Sequence, residues 1–391
     1  MSAACTIQDV FHRFYPDYVK THEPSAVQRK VVYHIMNCKT GAFGVNFSIC
    51  EDCGCISLHY NSCRDRCCPM CQEFPKEKWV DARREDVLDA PYFHVVFTVP
   101  EELNPVIYSN QKLLYDALYH SSSNTLQELA SDGKYLGVDI GHICILHTWG
   151  SEMNFHPHIH AVVLGGGLDP GNHWKDKGND FFLPIRVISR LFRGKYLSEL
   201  KQFWESGKLE FHGSAERYKN HYAFKELLDS CYSKEWIPYC KKPFDGSESV
   251  IRYLGKYTHR IAISNYRIKS MTDSTVTFTA KDYKNQGKWK EVTITGKDFI
   301  RRFLMHVPPK RFVRIRHYGL LSSRNKNRKI PLCRNLLGCK KYLSRLKALD
   351  APAIINLLYG KDVCRCTACG GKIIPFSADL YCIRPKHHLL C

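Results

Sequence analysis

The chain has 391 residues, 57 Lys and Arg against 38 Asp and Glu, and a net charge of +19. This length suits two or three domains, and an apolar content of 44% excludes a disordered tail. No apolar run of about 18 residues occurs, which excludes a helical membrane span. Met1–Tyr15 lacks the apolar stretch of a signal peptide, so a cytoplasmic location is expected. The basic excess points to a polyanionic partner, because each neutralised phosphate releases condensed counterions.

Of the 19 cysteines, 13 cluster at two places, Cys38–Cys71 and Cys364–Cys391. In a chain expected inside the cell, such clustering favours zinc over disulfides. The reading is therefore an N-terminal zinc module over 1–90, a central α+β domain over 91–309, and a basic C-terminal region over 310–391 with a Cys-rich end.

In the N-terminal segment, Cys50-x-x-Cys53 and Cys68-x-x-Cys71 are two knuckles, each able to supply two thiolates from one tight turn. They are expected to share a tetrahedral zinc. Cys38, Cys55, His59, Cys63 and Cys67 lie close by as further ligand candidates, and Cys63 and Cys67 would allow a second metal.

Tyr92–Val99 reads as a buried strand ended by Pro100, Lys112–Ala130 as a helix, and His142–Trp149 as a second strand. His156–Leu164 is a third, expected to end at Gly165, Gly166 and Gly167. Leu183–Phe203 has helical periodicity. His156, His158 and His160 alternate on the third strand and therefore project from one face. Burying them unsatisfied would be costly, so a divalent metal is expected there. His158 and His160 are two ligands; the third is left open among His156, His94 and His259.

Glu248–Ile261 reads as a helix. Tyr253 and Tyr257 are one turn apart on it, beside a basic stripe of Arg252, Lys256 and Arg260. Paired tyrosines at this spacing are commonly packing residues, but the stripe suits phosphate contact. A phenol has an ordinary pKa near 10, and a metal-bound phosphate nearby would favour its attack as a phenolate. Thr275–Tyr283 and Lys288–Thr295 read as a hairpin around Asn285–Gly287, followed by a short helix over Asp298–His306.

From Lys310 to Leu349 there is no acidic residue, while Arg314, Arg316 and other cations alternate with Phe312, Tyr318 and Tyr342, a composition suited to nucleic acid. Cys366-x-x-Cys369-Gly370 is a further knuckle. Cys364, Cys382, His387, His388 and Cys391 are candidates to complete a zinc ribbon with it.

His158-Ile159-His160 is also the motif after which HUH nucleases are named. Cys50–Gln72, Pro91–Asn104, Leu146–Gly167, Phe182–Lys195, Val250–Asn265 and Phe299–Tyr318, in this order, resemble the rolling-circle transposases of the insertion sequence 91 family. The resemblance implies an HUH-endonuclease-like central antiparallel sheet with helices and a zinc-binding DNA-recognition module. It implies that His158 and His160 hold magnesium or manganese. Tyr253 and Tyr257 fit its two-tyrosine pattern, cleaving single-stranded DNA through a 5′-phosphotyrosine. One departure is Cys67, which stands where the family often has His. Two other readings are a plasmid relaxase or replication initiator with the same chemistry, and a non-catalytic zinc protein that binds DNA.

Overall fold

The computed structural model describes residues 5–178, 183–236, 239–241, 246–257, 262–282 and 285–375. Two capped helices open the chain, α1 (Ile7–Tyr18) and α2 (Ala26–Met36). Each begins with a capping box, Thr6 with Asp9 and Ser25 with Gln28, which satisfies backbone N–H groups that the first turn leaves free. The strands β1 (Val45–Cys50) and β2 (Ile56–Tyr60) then form a hairpin, followed by α3 (Glu73–Arg84). Next come β3 (Tyr92–Thr98), α4 (Asn104–Ser109), α5 (Gln111–Ser131), β4 (Asp139–Trp149), β5 (Phe155–Leu168) and β6 (Trp174–Asp176). Helices α6 (Ile185–Glu205) and α7 (His221–Ser233) precede β7 (Tyr239–Lys241) and α8 (Gly246–Tyr257). The chain continues through β8 (Ile268–Met271), β9 (Thr275–Asp282), β10 (Lys288–Thr295), α9 (Gly296–Met305), β11 (Ile315–Gly319), α10 (Lys326–Leu337), α11 (Ala351–Tyr359) and β12 (Ile373–Pro375).

The architecture is α+β, and its centre is an antiparallel sheet in the order β11-β4-β5-β3-β7, with β6 added on β5. Alternation along the strands sorts the two faces. Val95, Phe97, Cys144, Leu146, Ile159, Ala161 and Val163 enter one core with residues of α5, α6 and α7. The opposite face carries Ile143, Ile145, Val162 and Leu164 under Val250 and Leu254 of α8 and Ile330 of α10. His94, His147, His158 and His160 lie on this second face, beyond its apolar half.

Strand β5 runs through the three glycines that were expected to end it. The reason is close backbone approach. A Cβ on Gly167 would stand 2.1 Å from the Asp139 carbonyl oxygen, and one on Gly166 would meet Trp174 and Asp176 at 2.7 Å. Only glycine lets β4 and β6 pair there.

Residues on both sides of the boundaries expected at 90 and 309 share cores. Ile7, Phe11, Val32 and Ile35 pack with Phe278, Phe299, Ile300 and Phe303. Strand β11 completes the central sheet against β4, with His317 opposite Ile143. Strand β12 joins the N-terminal hairpin by pairing Ile374 with Ile49. Among the described residues no helix is long and apolar enough to cross a membrane.

Candidate metal centres and tyrosine site

The N-terminal knuckles do not share one site, contrary to the expectation from sequence. Cys68 and Cys71 group with Cys38 and Cys63, and Cys50 and Cys53 group with Cys366 and Cys369. The Sγ separations are 3.8 Å for Cys63–Cys71, 3.5 Å for Cys50–Cys369 and 3.7 Å for Cys53–Cys366. Four sulfurs at about 2.3 Å from a zinc in a tetrahedron stand ~3.8 Å from one another, so both clusters fit the ion. Backbone N–H groups also point at the sulfurs: Cys63 N donates to Cys38 Sγ, Asp65 N to Cys63 Sγ and Gly371 N to Cys369 Sγ, each at 3.4 Å. Such outer bonds hold thiolates in position.

The regrouping has a topological cause. The β1–β2 turn presents Cys50 and Cys53 on the side where β12 adds to the hairpin, and the Cys366 knuckle immediately precedes β12. Cys38, at the end of α2, and Cys63 lie on the other side with the second knuckle. Cys67 belongs to neither cluster. It is buried in the core that joins the N-terminal helices to α9, and burial raises its thiol pKa to about 11. Cys55, His59 and Cys364 are exposed and lie outside the clusters. Cys382, His387, His388 and Cys391 fall outside the described residues.

The third metal-ligand candidate group is His147, His158 and His160, all buried, with donor atoms within 4.8 Å of one another. His158 Nε2 and His160 Nε2 are 3.1 Å apart. Two nitrogens at about 2.1 Å from one ion and at right angles to it stand ~3.0 Å apart, so the pair fits a shared cation. His158 Nδ1 is 2.7 Å from the His156 carbonyl oxygen; donating to it fixes the tautomer and frees Nε2 as a lone-pair donor. Burial is the first cause that lowers the His158 pKa, to about 4, which keeps the ring neutral. Trp149 stacks on His147 with ring centroids 4.6 Å apart.

His147 takes the third place that the sequence left open among His156, His94 and His259. Regular alternation puts it there. His147 follows Ile143 and Ile145 on the same face of β4 and stands directly opposite His158, in unbroken register with β5. The register slips only beyond it, before Trp149 pairs with Phe155. His156 lies beside the group, half-buried, and contributes its carbonyl. His259 falls outside the described residues.

His94 has a different neighbour. Its Nε2 is 2.6 Å from Tyr253 Oη and 3.0 Å from His160 Nδ1, and Tyr253 Oη is 2.9 Å from that same His160 nitrogen. Helix α8 places Tyr253 there by burying Val250 and Leu254 against the sheet. The hydroxyl thus stands on the Nδ1 side of His160, while the metal-facing nitrogen is on the other side. Tyr257 is the last residue of α8, one turn further on. The side chains of Lys256 and Tyr257 and the whole of Arg260 lie outside the described part.

Of the cations expected to face DNA, Arg252 is exposed on α8. Arg314 and Arg316 have internal roles. Arg316 pairs with Asp116 and stacks over Tyr119 at 4.0 Å, while Arg314 is drawn in beside Cys67, where burial lowers its pKa.

Three candidate metal-ligand clusters, one of them beside Tyr253 of α8, thus lie in one chain, and the comparisons with known proteins identify that chain as a transposase. Residues 141–329 match the family described as "Putative transposase", and residues 10–99 match "Transposase zinc-binding domain". The chain is 39% identical over 376 residues to "Putative transposase y4qJ" of Sinorhizobium fredii, covering 93% of this chain and 92% of that one. It is 28% identical over 355 residues to the transposase for insertion sequence element IS801 of Pseudomonas savastanoi pv. phaseolicola, covering 89% and 83%. Among solved structures, a metal-free conjugative relaxase TrwC in complex with oriT DNA aligns with 42% of this chain and 69% of its own. That alignment has 14% identity and a TM-score of 0.24, too slight to carry an argument. The chain belongs to the insertion sequence 91 family of transposases, with a zinc-binding domain near its N-terminus.

Proposed function

We propose that this transposase nicks and rejoins single-stranded DNA through a 5′-phosphotyrosine on Tyr253, in the manner of rolling-circle transposition. The observation that carries the reading is the Tyr253 hydroxyl, 2.6 Å from His94 and 2.9 Å from His160, next to a three-histidine cluster on one sheet face.

His147, His158 and His160 would hold one divalent cation. Three imidazoles suit a transition ion such as manganese better than magnesium, which prefers oxygen donors. When bound, the ion polarises the scissile phosphate and neutralises charge that builds on its oxygens. The chain's own residues supply the rest. With Nε2 turned to the ion site, His160 carries its proton on Nδ1 and donates it to Tyr253 Oη. Tyr253 then donates its own proton to His94 Nε2, which removes it as the oxygen attacks. The Oη–P bond forms and the P–O3′ bond of the upstream nucleotide breaks. Water supplies the proton that leaves a free 3′-hydroxyl. One phosphodiester replaces another, so the reverse step can join a new 3′ end without ATP. Tyr257, a turn away, would serve a second cleavage.

Two zinc ions, one in each four-cysteine cluster, would be structural, since every ligand position is filled by protein. The test is a 3′-labelled single strand from the element's own terminus incubated with manganese. A metal-dependent adduct retaining the label is expected with the wild-type chain and not with Tyr253→Phe. The same strand bound tightly without any adduct would favour the non-catalytic DNA-binding reading.

A further inference from the structure

A cleft of about 400 Å³ opens directly from the histidine cluster, and the reaction proposed above does not use its aromatic lining. Its lining brings His147, His158 and His160 together with Tyr266, Lys281 and Trp289. Among the described residues no acidic side chain lines it. Tyr266 is 70% exposed and Trp289 54% exposed. An isolated exposed aromatic on a surface is ordinary. These two share one cleft with metal-ligand candidates, and a cation accompanies them. Lys281 and Trp289 face each other in the β9–β10 register, with the ammonium 5.6 Å from the ring centroid.

The aromatic lining is fixed relative to the histidines. Arg267, next to Tyr266, donates to the Thr279 and Ser151 carbonyls, and the Lys281 N–H donates to Ser151 Oγ. Ser151 sits in the turn joining β4 to β5, the two strands that carry the three histidines. Trp289, on β10, and Tyr266, in the helical turn before β8, are therefore tied to the strands that carry the histidines.

We propose that Trp289, with Tyr266 and Lys281 beside it, is a stacking site for the DNA base immediately 5′ of the scissile phosphate. Aromatic faces beside a cation are how unpaired bases are held without sequence readout. The side of the phosphate follows from displacement geometry. His94 and Tyr253 do not line the cleft, and Tyr253 meets His160 on the nitrogen facing away from His158. An in-line attack puts the departing O3′ opposite the nucleophile, which directs the upstream nucleotide into the cleft. The platform would hold the cleaved 3′-hydroxyl strand near the phosphotyrosine while the joint is open. This assignment rests on Tyr253 being the nucleophile; the presence of a base site at Trp289 does not.

The test is an abasic scan read by binding. A fluorescent single strand from the element's terminus, and copies with one abasic position each, are titrated without divalent metal against the wild-type chain, Trp289→Ala and Trp289→Phe. Trp289→Ala should weaken binding of the intact strand by about fivefold to a hundredfold, the range for one base stack, while Trp289→Phe retains most of it. At one abasic position the Trp289→Ala variant should lose almost nothing further, and that position should lie just 5′ of the mapped nick. Equal weakening at every abasic position, or a Trp289→Ala affinity within twofold of wild type, overturns the site. A single insensitive position 3′ of the nick keeps the stack but overturns its assignment to the upstream base. Loss of the adduct reading leaves the scan interpretable, because binding is measured without chemistry.

Discussion

The zinc cluster formed by Cys50, Cys53, Cys366 and Cys369 makes the most exposed prediction about the architecture, because its two halves lie more than three hundred residues apart. Truncation after Leu358 removes Cys366, Cys369 and β12 together. A structural zinc on four thiolates binds with an apparent ~10–16 kcal/mol. Keeping only Cys50 and Cys53 halves the ligand set, and if each ligand contributes equally the loss is ~5–8 kcal/mol, or about four to six orders of magnitude in affinity. The remaining β1–β2 hairpin loses its third strand, and an isolated two-stranded hairpin is marginal in water. Native mass spectrometry should therefore find one zinc fewer in the truncated chain, and hydrogen exchange should show amides of 45–60 losing protection. The other cluster should stay loaded, and Cys38→Ser or Cys63→Ser in the full chain should empty it. A truncated chain that retains the wild-type zinc count and a protected hairpin would refute the split of the knuckles and restore a single site on Cys50, Cys53, Cys68 and Cys71.

Other consequences are direct. His147→Ala should cut metal-dependent cleavage by about a hundredfold or more, since loss even of an outer partner of a metal ligand costs 10–100-fold. His156→Ala, which spares the backbone carbonyl, should cost far less in the same gel assay. Gly167→Ala should destabilise the chain by about 1–3 kcal/mol in urea unfolding, because its Cβ would meet the Asp139 carbonyl at 2.1 Å. His306 is buried, holds Thr148 Oγ1 and the Met153 carbonyl, and has its pKa lowered by burial from 6.5 to about 4. Folding thus favours its neutral form. Its contribution is complete above pH 6.5 and is lost as pH falls toward 4, by about 1.4 kcal/mol per unit and about 3 in all. Unfolding curves across that window should flatten in His306→Gln; an unchanged slope would show that this histidine is not the group titrating.

Much of the histidine-bearing sheet was legible because it follows short-range rules. The alternation of His156, His158 and His160 around Ile159 set the strand and its two faces, and the tyrosine spacing put Tyr253 on a helix. What escaped was tertiary register. Alternation puts His147 on the face of Ile143 and Ile145, but only the pairing of β4 with β5 sets it opposite His158, and His94 passed as a metal-ligand candidate because its partner, Tyr253, is far away in sequence. The cysteine knuckles were visible one by one, but their pairing depends on β12 returning to β1. Glycines after a strand look like an end, yet Gly165–Gly167 continue β5 because neighbouring backbones crowd it. In the basic C-terminal stretch, charge read as a surface; the fold spends Arg316 on Asp116 and Tyr119.

The most direct measurement is to map the covalent adduct. The chain is reacted with its terminal single strand and manganese, digested, and sequenced by tandem mass spectrometry. The nucleotide should be on Tyr253 through its 5′ phosphate, at a yield that collapses in His147→Ala and His94→Gln. An adduct of wild-type yield in Tyr253→Phe, indifferent to His147, would contradict the site described here.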